Sequence, residues 1–325
     1  MLPPYPTAGG AMHTIGNRTR HSSSSKSVYR YSGHPLYALR ELVDEALQSI
    51  RQLHEKTLLV TGHPTGFCDL DHLLSGLQPG SLTVIASYAS MGKSALALNI
   101  AQNLGVTNAI PTTLFSLEMS KEQLVKRMLA AAARVDLGKA RTGNLTESDL
   151  RKLEEAKDTL RNSAIYIDDT SGISGTALLA KAVRLKVDHD VQVIIIDYLQ
   201  LMRDDARSAL DPEELSRISS SLKVLARELD VAVVLLSQLD SRTVKKSRPE
   251  LSDLGNTGSL ESDADLILLL YRESVYCTSC RRRDGSCTHN HEQAAEIIIA
   301  KHKNGPIGSV FLNFDAETMN FKDLC

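Results

Sequence analysis

Leu82-Thr83-Val84-Ile85-Ala86-Ser87-Tyr88-Ala89-Ser90-Met91-Gly92-Lys93-Ser94-Ala95-Leu96-Ala97-Leu98-Asn99-Ile100-Ala101 reads as an apolar run, a short loop and a run of helix formers. In that strand–loop–helix context, Gly92-Lys93-Ser94 marks a phosphate-binding loop rather than a stray lysine. The chemistry asks for these residue types. Consecutive backbone N–H groups at a helix N-terminus surround an anion. A lysine there reaches the outer phosphates of a nucleotide such as ATP, and the adjacent hydroxyl ligates Mg2+. Ser87, Tyr88, Ala89, Ser90, Met91, Gly92, Lys93 and Ser94 are therefore the expected nucleotide loop. In the pattern G-x-x-x-x-G-K-[ST] the first glycine is Ser87 here, so its backbone is expected to avoid positive φ or to carry strain.

Outward from this loop, strand and helix patterns alternate. Apolar runs at 112–117, 164–167, 191–196 and 231–236 read as strands, and 121–134, 146–160, 176–187 and 212–229 as helices. A short amphipathic helix carries Leu70, Leu73, Leu74 and Leu77, and Thr146 with Asp149 forms a capped helix start. Three later strands are expected at 266–271, 296–300 and 310–314. The fold class is α/β: a mostly parallel central sheet with helices on both faces and antiparallel C-terminal strands. Ligands of such sheets sit beyond the carboxyl ends of the strands. Glu118, Asp197 and Gln238 each stand just past such an end, as the phosphate loop does. Asp197 has the form of a Mg2+-holding carboxylate. Glu118 is placed to activate a water, and Gln238 to hydrogen-bond a γ-phosphate.

The bulk composition narrows the partners. The chain has 325 residues, 42% of them hydrophobic, with a net charge of −2, so a nucleic-acid site must be local rather than a global basic field. Trp is absent and aromatics make up 4%, which disfavours an aromatic base-stacking platform. The loop after the 231–236 strand holds Arg242, Lys245, Lys246 and Arg248, a candidate phosphate-backbone contact that equally reads as a solvated charged loop. No apolar run spans a membrane and no apolar signal core opens the chain, so a cytoplasmic protein is expected.

Residues 1–34, rich in Pro, Gly and Ser, read as a disordered leader. Pro35 then is expected to open a helix. Leu36, Leu39, Val43, Ala46, Ile50 and Leu53 recur at spacings of 3, 4, 3, 4 and 3, one narrow apolar seam that packs on its own domain or docks on a neighbour. The five cysteines suit reduced thiols or a metal rather than a disulfide framework. Cys277, Cys280, Cys287, His289 and His291 offer five ligands within fifteen residues, inside an insert at 275–293, and zinc needs four.

Taken together, these residues resemble the C-terminal motor domain of DnaB-type replicative DNA helicases, which has a RecA-like P-loop NTPase core. The matches are Thr61-Gly62, Gly66-Phe67, Gly76-Leu77-Gln78-Pro79, Ser90 to Ser94, Phe115-Ser116-Leu117-Glu118-Met119, Arg141-Thr142-Gly143, Ile196-Asp197-Tyr198-Leu199-Gln200-Leu201-Met202, Leu236-Ser237-Gln238-Leu239, Asp263-Ala264-Asp265-Leu266 and Asn304-Gly305-Pro306-Ile307-Gly308. The resemblance implies a homohexameric ring that hydrolyses ATP between subunits and translocates on single-stranded DNA, with a loader or primase as further partner. It implies Lys93 and Ser94 on phosphate and Mg2+, Glu118 as catalytic carboxylate, Asp197 as metal carboxylate and Gln238 as the γ-phosphate-linked residue. Residues 35–56 become the linker helix that docks on the adjacent subunit, ahead of an ATPase domain at 57–325.

Three departures from the family pattern stand out. The separate N-terminal helical domain is replaced by the leader. The DNA-contacting Arg-Glu-Ser-Gly run reads Gly255-Asn256-Thr257-Gly258, which leaves Asn256 and Gly258 as the candidate contacts. The trans-acting Lys-x-Arg reads Lys301-His302-Lys303, so Lys303, with Lys301 two residues earlier, stands where the finger is expected. Two other readings remain: a non-translocating relative that joins or regulates a helicase ring, and a RecA-like repair or recombination ATPase.

Overall fold

A computed structural model describes residues 29–31, 34–56, 60–197, 212–239, 248–254, 258–277 and 293–324. Residues 1–28 of the expected leader, the segment after Asp197, Arg242, Lys245, Lys246, Asn256, Cys280, Cys287, His289 and His291 lie outside the described residues. The chain divides into two units, Met1–Thr57 and Leu58–Cys325.

In the first unit, β1 (Tyr29–Tyr31) pairs antiparallel with β2 (His34–Leu36), and α1 runs over Leu39–Lys56. The helix expected from Pro35 therefore starts at Leu39, and the end of the expected leader is paired strand. Proline lacks a backbone donor and drives the residue before it to extended backbone, so His34-Pro35 favours a strand, with Pro35 opposite Arg30. Along α1 the seam residues Leu39, Val43 and Ile50 are exposed.

The second unit is built on a nine-stranded sheet in the order β11-β10-β9-β8-β3-β7-β6-β4-β5. The strands are β3 (Leu82–Ser87), β4 (Thr112–Ser116), β5 (Ile165–Asp168), β6 (Val193–Asp197), β7 (Ala232–Gln238), β8 (Leu266–Tyr271), β9 (Ala294–His302), β10 (Gly308–Asp315) and β11 (Asn320–Asp323). β3 to β8 are parallel neighbours, and β9 to β11 add antiparallel, as the sequence leads one to expect. Every residue of β3, β4 and β6 is buried, which is why those strands are continuous apolar runs without alternation. β11 lies outside the sequence expectation, because Phe321 is its single large apolar residue.

The connecting helices are α2 (Cys68–Leu74), α3 (Lys93–Gln102), α4 (Lys121–Ala133), α5 (Leu137–Thr142), α6 (Glu147–Arg161), α7 (Gly175–His189), α8 (Pro212–Leu229) and α9 (Gly258–Asp263). α3 packs on α4 and α4 on α6; α7 packs on α8 and α8 on α9. α6 begins with the expected Thr146–Asp149 capping box, and α4 with a second one formed by Ser120 and Gln123. Among the described residues no helix is long and apolar enough to cross a membrane.

Candidate nucleotide site

The parallel strands end along one edge, and their register brings the chemical residues together there. Ser87 pairs with Gln238, and Ser116 with Asp197. The Leu117 N–H donates to the Asp197 carbonyl at 2.7 Å, which seats Glu118 beside β6. Glu118 and Gln238 are exposed at this edge, whereas Asp197 is only 3% exposed.

The loop after β3 is shaped for an anion. Met91 is fully buried beneath it, and Ala89 and Ser90 are exposed at its crown. Ser87 is a buried strand residue whose hydroxyl donates to the Tyr88 carbonyl, and its φ is not positive. The left-handed positions are Ser90, at φ 66°, and Gly92, at φ 96°. Strain therefore sits one turn later than the motif's first position suggests, at a serine in a region that side chains rarely adopt. Gly92 has a second reason to be glycine: a Cβ there would lie 3.2 Å from the Phe321 ring.

α3 starts at Lys93 with Gly92 as N-cap. No side chain caps it, and its first turn holds no acidic residue. By contrast, α4 and α6 carry both a cap and first-turn acids. A bound phosphate would supply the missing acceptor for the first-turn N–H groups.

Lys93 is half-buried at the start of α3. Burial lowers its pKa to about 8, against the opposing pull of Asp197 and Glu118. Burial likewise pushes the Asp197 carboxyl up, opposed by a hydrogen bond from Ser94 and by the charges of Lys93 and Arg127. Asp197 Oδ1 is buried without a hydrogen-bond partner among the described residues. An orphaned carboxylate oxygen beside a serine hydroxyl is a donor set that fits a hard divalent cation. Ser94 and Asp197 would hold Mg2+, which would supply positive charge against the phosphates of a bound nucleotide.

Lys93 carries a pH prediction. Phosphate favours the charged ammonium, so a lysine of pKa about 8 in the free protein must take up a proton to bind above that pH. Nucleotide affinity should be flat up to about pH 7.5 and about tenfold weaker at about pH 9. Calorimetry of ADP binding in buffers of different ionisation enthalpy checks it. Equal affinity at both pH values, with no proton uptake, would remove the charged form of Lys93 from binding.

Sequence reasoning missed two residues at this edge. Arg127 on α4 is one of the cations acting on Asp197. It also lines a cavity of about 750 Å3 with Met119, Gln123, Lys126, Arg141 and Glu317. The available signal was the spacing of four between Gln123 and Arg127 on the helix that follows Glu118. The second is Asp253, in the turn after β7. It hydrogen-bonds Tyr88 and, after burial, helps to push the Tyr88 phenol up to about 12. No local pattern announces that contact.

Other expected residues fall elsewhere. Arg248 is not a loose basic group: its guanidinium grips the Glu296 carboxylate at 2.7 and 2.9 Å and donates to Ser309 Oγ at 2.9 Å. This pair ties Arg248 to β9 and β10, so a backbone phosphate would have to share the guanidinium with Glu296. Gly258 opens α9. Cys277 is half-buried at the end of the described stretch after β8, and no cluster of three metal-ligating side chains occurs among the described residues.

Lys301 and Lys303 lie at the opposite end of the sheet. β9 runs antiparallel to β8, so His302 pairs with Leu266, the first residue of β8. β9 ends at His302 and Lys303 stands in the turn beyond, so the two lysines do not share a strand face. The Lys301 ammonium donates to the Glu261 carbonyl at 2.5 Å, near the C-terminus of α9, while the Lys303 side chain is 65% exposed. Five strand steps of about 3.3 Å, roughly 16 Å, separate the two ends of β3, and Lys303 stands at the end away from its own phosphate loop.

Known proteins match this arrangement. The family model described as DnaB-like helicase C terminal domain matches residues 62–323. A replicative DNA helicase of Bacillus subtilis is 43% identical over 290 residues, covering 88% of this chain and 62% of that protein. One of Haemophilus influenzae is 43% identical over 271 residues, covering 82% of this chain and 56% of that protein. The chain thus spans about three fifths of the length of these curated relatives. Among solved structures, an isolated ATPase domain superposes with a TM-score of 0.77 at 36% identity, over 87% of this chain and 99% of that one. A DnaB-like replicative helicase, described with its interactions with primase, gives a TM-score of 0.76 at 36% identity, over 87% of this chain and 67% of that one. With the phosphate loop, Glu118, Asp197 and Gln238 gathered on one sheet edge inside the matched span, the chain belongs to the DnaB-like helicase C-terminal domain family.

Proposed function

We propose that this chain is an ATP-hydrolysing motor of a replicative DNA helicase, working as a ring hexamer that translocates on single-stranded DNA in the cytoplasm. One observation carries the reading. The groups for phosphate, metal and water stand at one end of the sheet, and the exposed cation of the Lys303 turn stands at the other. A site divided in this way is completed only when the second end comes from another copy. Lys93 and the loop amides bind phosphate, Ser94 and Asp197 hold Mg2+, Glu118 orients and deprotonates water, and Gln238 reports the γ-phosphate to the loop that follows it.

The DNA grip falls to Arg242, Lys245, Lys246, Arg248, Asn256 and Gly258. Primase is the favoured further partner, since the primase-interacting helicase covers most of this chain. The ring-joining regulator and the repair ATPase are not favoured, because the curated relatives are named as replicative helicases. The test is ATPase rate with and without single-stranded DNA, read beside native mass. A monomer whose slow turnover ignores DNA would overturn the proposal.

Two further predictions belong to this reading. The exposed seam of α1 mediates ring assembly by lying on the neighbouring subunit. A chain starting at Thr57 is expected to lose stable hexamers at micromolar concentration; hexamers as stable as those of the full chain would refute this. Cys277, Cys280 and Cys287, with His289 or His291, hold one structural zinc that orders an insert poor in apolar residues. Elemental analysis should find about one zinc per chain, and protein purified reduced and chelator-free without zinc would end this idea.

A further inference from the structure

The Lys303 turn is pre-built. His302 Nδ1 lies 3.2 Å from the Pro306 carbonyl, and the Gly305 backbone is so close to the imidazole that a Cβ there would come within 2.2 Å of it. The turn is also tied to one carboxylate-bearing residue, Asp265, at the start of β8. The Lys303 N–H donates to the Asp265 carbonyl at 2.8 Å, and the Lys303 ammonium lies 3.6 Å from Asp265 Oδ1.

Asp265 is itself held from two other directions. Its Oδ2 accepts from the Leu82 N–H at 2.9 Å and from the Lys223 ammonium at 2.5 Å. Lys223 also donates to the Gly80 carbonyl at 2.9 Å, and the Asp265 N–H donates to the Leu82 carbonyl at 2.9 Å. Burial opposes the charge on Asp265, yet Lys223, the Leu82 N–H and Lys303 outweigh it and hold the carboxyl below its ordinary range. Asp265 therefore stays ionised, and its side chain is only 14% exposed. Leu82 is the first residue of the strand whose other end is the phosphate loop.

We infer that Asp265 is the positioning residue for Lys303, tying the trans-acting cation of each subunit to the base of that subunit's own phosphate-loop strand. The inference rests on reading Lys303 as that cation. Its physical content is economy of motion. A mobile, strongly hydrated ammonium loses little freedom on reaching the neighbour's phosphate if a fixed carboxylate already orients its stem. It also links the two ends of each subunit's sheet: Leu82, Asp265 and the Lys303 turn are joined by hydrogen bonds at the base of β3. The ion pair is half-exposed, so it acts by orientation rather than by large stabilisation.

The test uses full-length protein and mixed rings. Asp265→Asn keeps an acceptor for the Leu82 N–H but loses the charge that faces Lys303. It should lower kcat about tenfold, leave KM and ADP affinity unchanged and leave the ring intact by native mass. Mixed with Lys93→Ala subunits it should regain activity above either protein alone, because one interface then has a sound phosphate loop and a sound cation. Mixed with Lys303→Ala subunits it should regain none. A lesion that merely disturbs the fold would complement neither.

Asp265→Glu serves as the second variant should the asparagine protein fail to assemble; it retains charge but displaces the carboxylate, and about a threefold loss of kcat is expected. Wild-type kcat in Asp265→Glu and in whatever Asp265→Asn assembles, with Lys303→Ala still impaired, would overturn the inference alone. Wild-type kcat in Lys303→Ala would overturn the reading of Lys303 and this inference with it.

Discussion

Lys93→Ala is expected to abolish tight nucleotide binding as well as turnover, whereas Glu118→Gln is expected to abolish turnover and leave binding tight. The two residues stand at the same sheet edge but act at different moments. Lys93 sits at the first turn of α3, behind an N-cap that has no side-chain acceptor, so on the proposed reading its ammonium would meet phosphate already in the ground state. Its lowered pKa of about 8 is the cost of holding that charge ready in a partly desolvated place. Removing a charged partner from such a contact costs about 2–5 kcal/mol, a loss of roughly 30-fold or more in affinity. Glu118, exposed beside Asp197, would on the same reading act on water rather than on phosphate. General-base catalysis contributes about 10²–10⁴ in rate, and an isosteric amide cannot accept the proton. Titration with a fluorescent ADP analogue and single-turnover hydrolysis separate the effects. Normal turnover in Glu118→Gln would remove that residue from the chemistry, and tight ADP binding by Lys93→Ala would remove the loop lysine from the ground state.

The central sheet was legible because its strands are buried on both faces and so are written as unbroken apolar runs; β6, Val193–Asp197, is the plainest case. The site was legible for a related reason. A parallel sheet places its strand ends together, so Glu118, Asp197 and Gln238 needed no knowledge of distant contacts to be grouped. What is not legible shares the opposite property. Arg248 reads as a free cation in a basic loop, because its partner Glu296 lies 48 residues away in a strand that carries no hint of the pairing. Lys301 and Lys303 belong to one motif in the sequence, but β9 stops between them, and the Glu261 carbonyl that Lys301 meets belongs to another element. Pro35 matched a helix-start pattern, yet pairing with β1 placed it in a strand. Asp265 sat inside a family motif without a role, since its significance is a convergence of α8, β3 and the turn after β9 that only the folded chain creates.

Replacing Lys303 by alanine should slow ATP hydrolysis by about 10²–10³-fold while ATP binding stays near normal. An arginine in this role contributes roughly 10³–10⁵ in rate, and a lysine keeps the charge but not the planar fork that grips two phosphate oxygens at once. Most of the effect is positive charge placed where negative charge develops, which either side chain provides. Lys303→Arg should therefore hold or raise the rate. The guanidinium needs less stripping of water, and it can keep its contact with Asp265, now 3.6 Å from the ammonium. Position makes the effect intersubunit: Lys303 extends from the end of the sheet away from its own phosphate loop, and no side chain spans the roughly 16 Å between those ends. A mixture of Lys303→Ala and Lys93→Ala proteins should recover activity that neither has alone, since some interfaces join the intact loop of one to the intact lysine of the other. Hydrolysis by Lys303→Ala at the wild-type rate would place the completing cation elsewhere. Loss of activity without recovery on mixing would mean that Lys303 acts within its own subunit's fold rather than on its neighbour's phosphate.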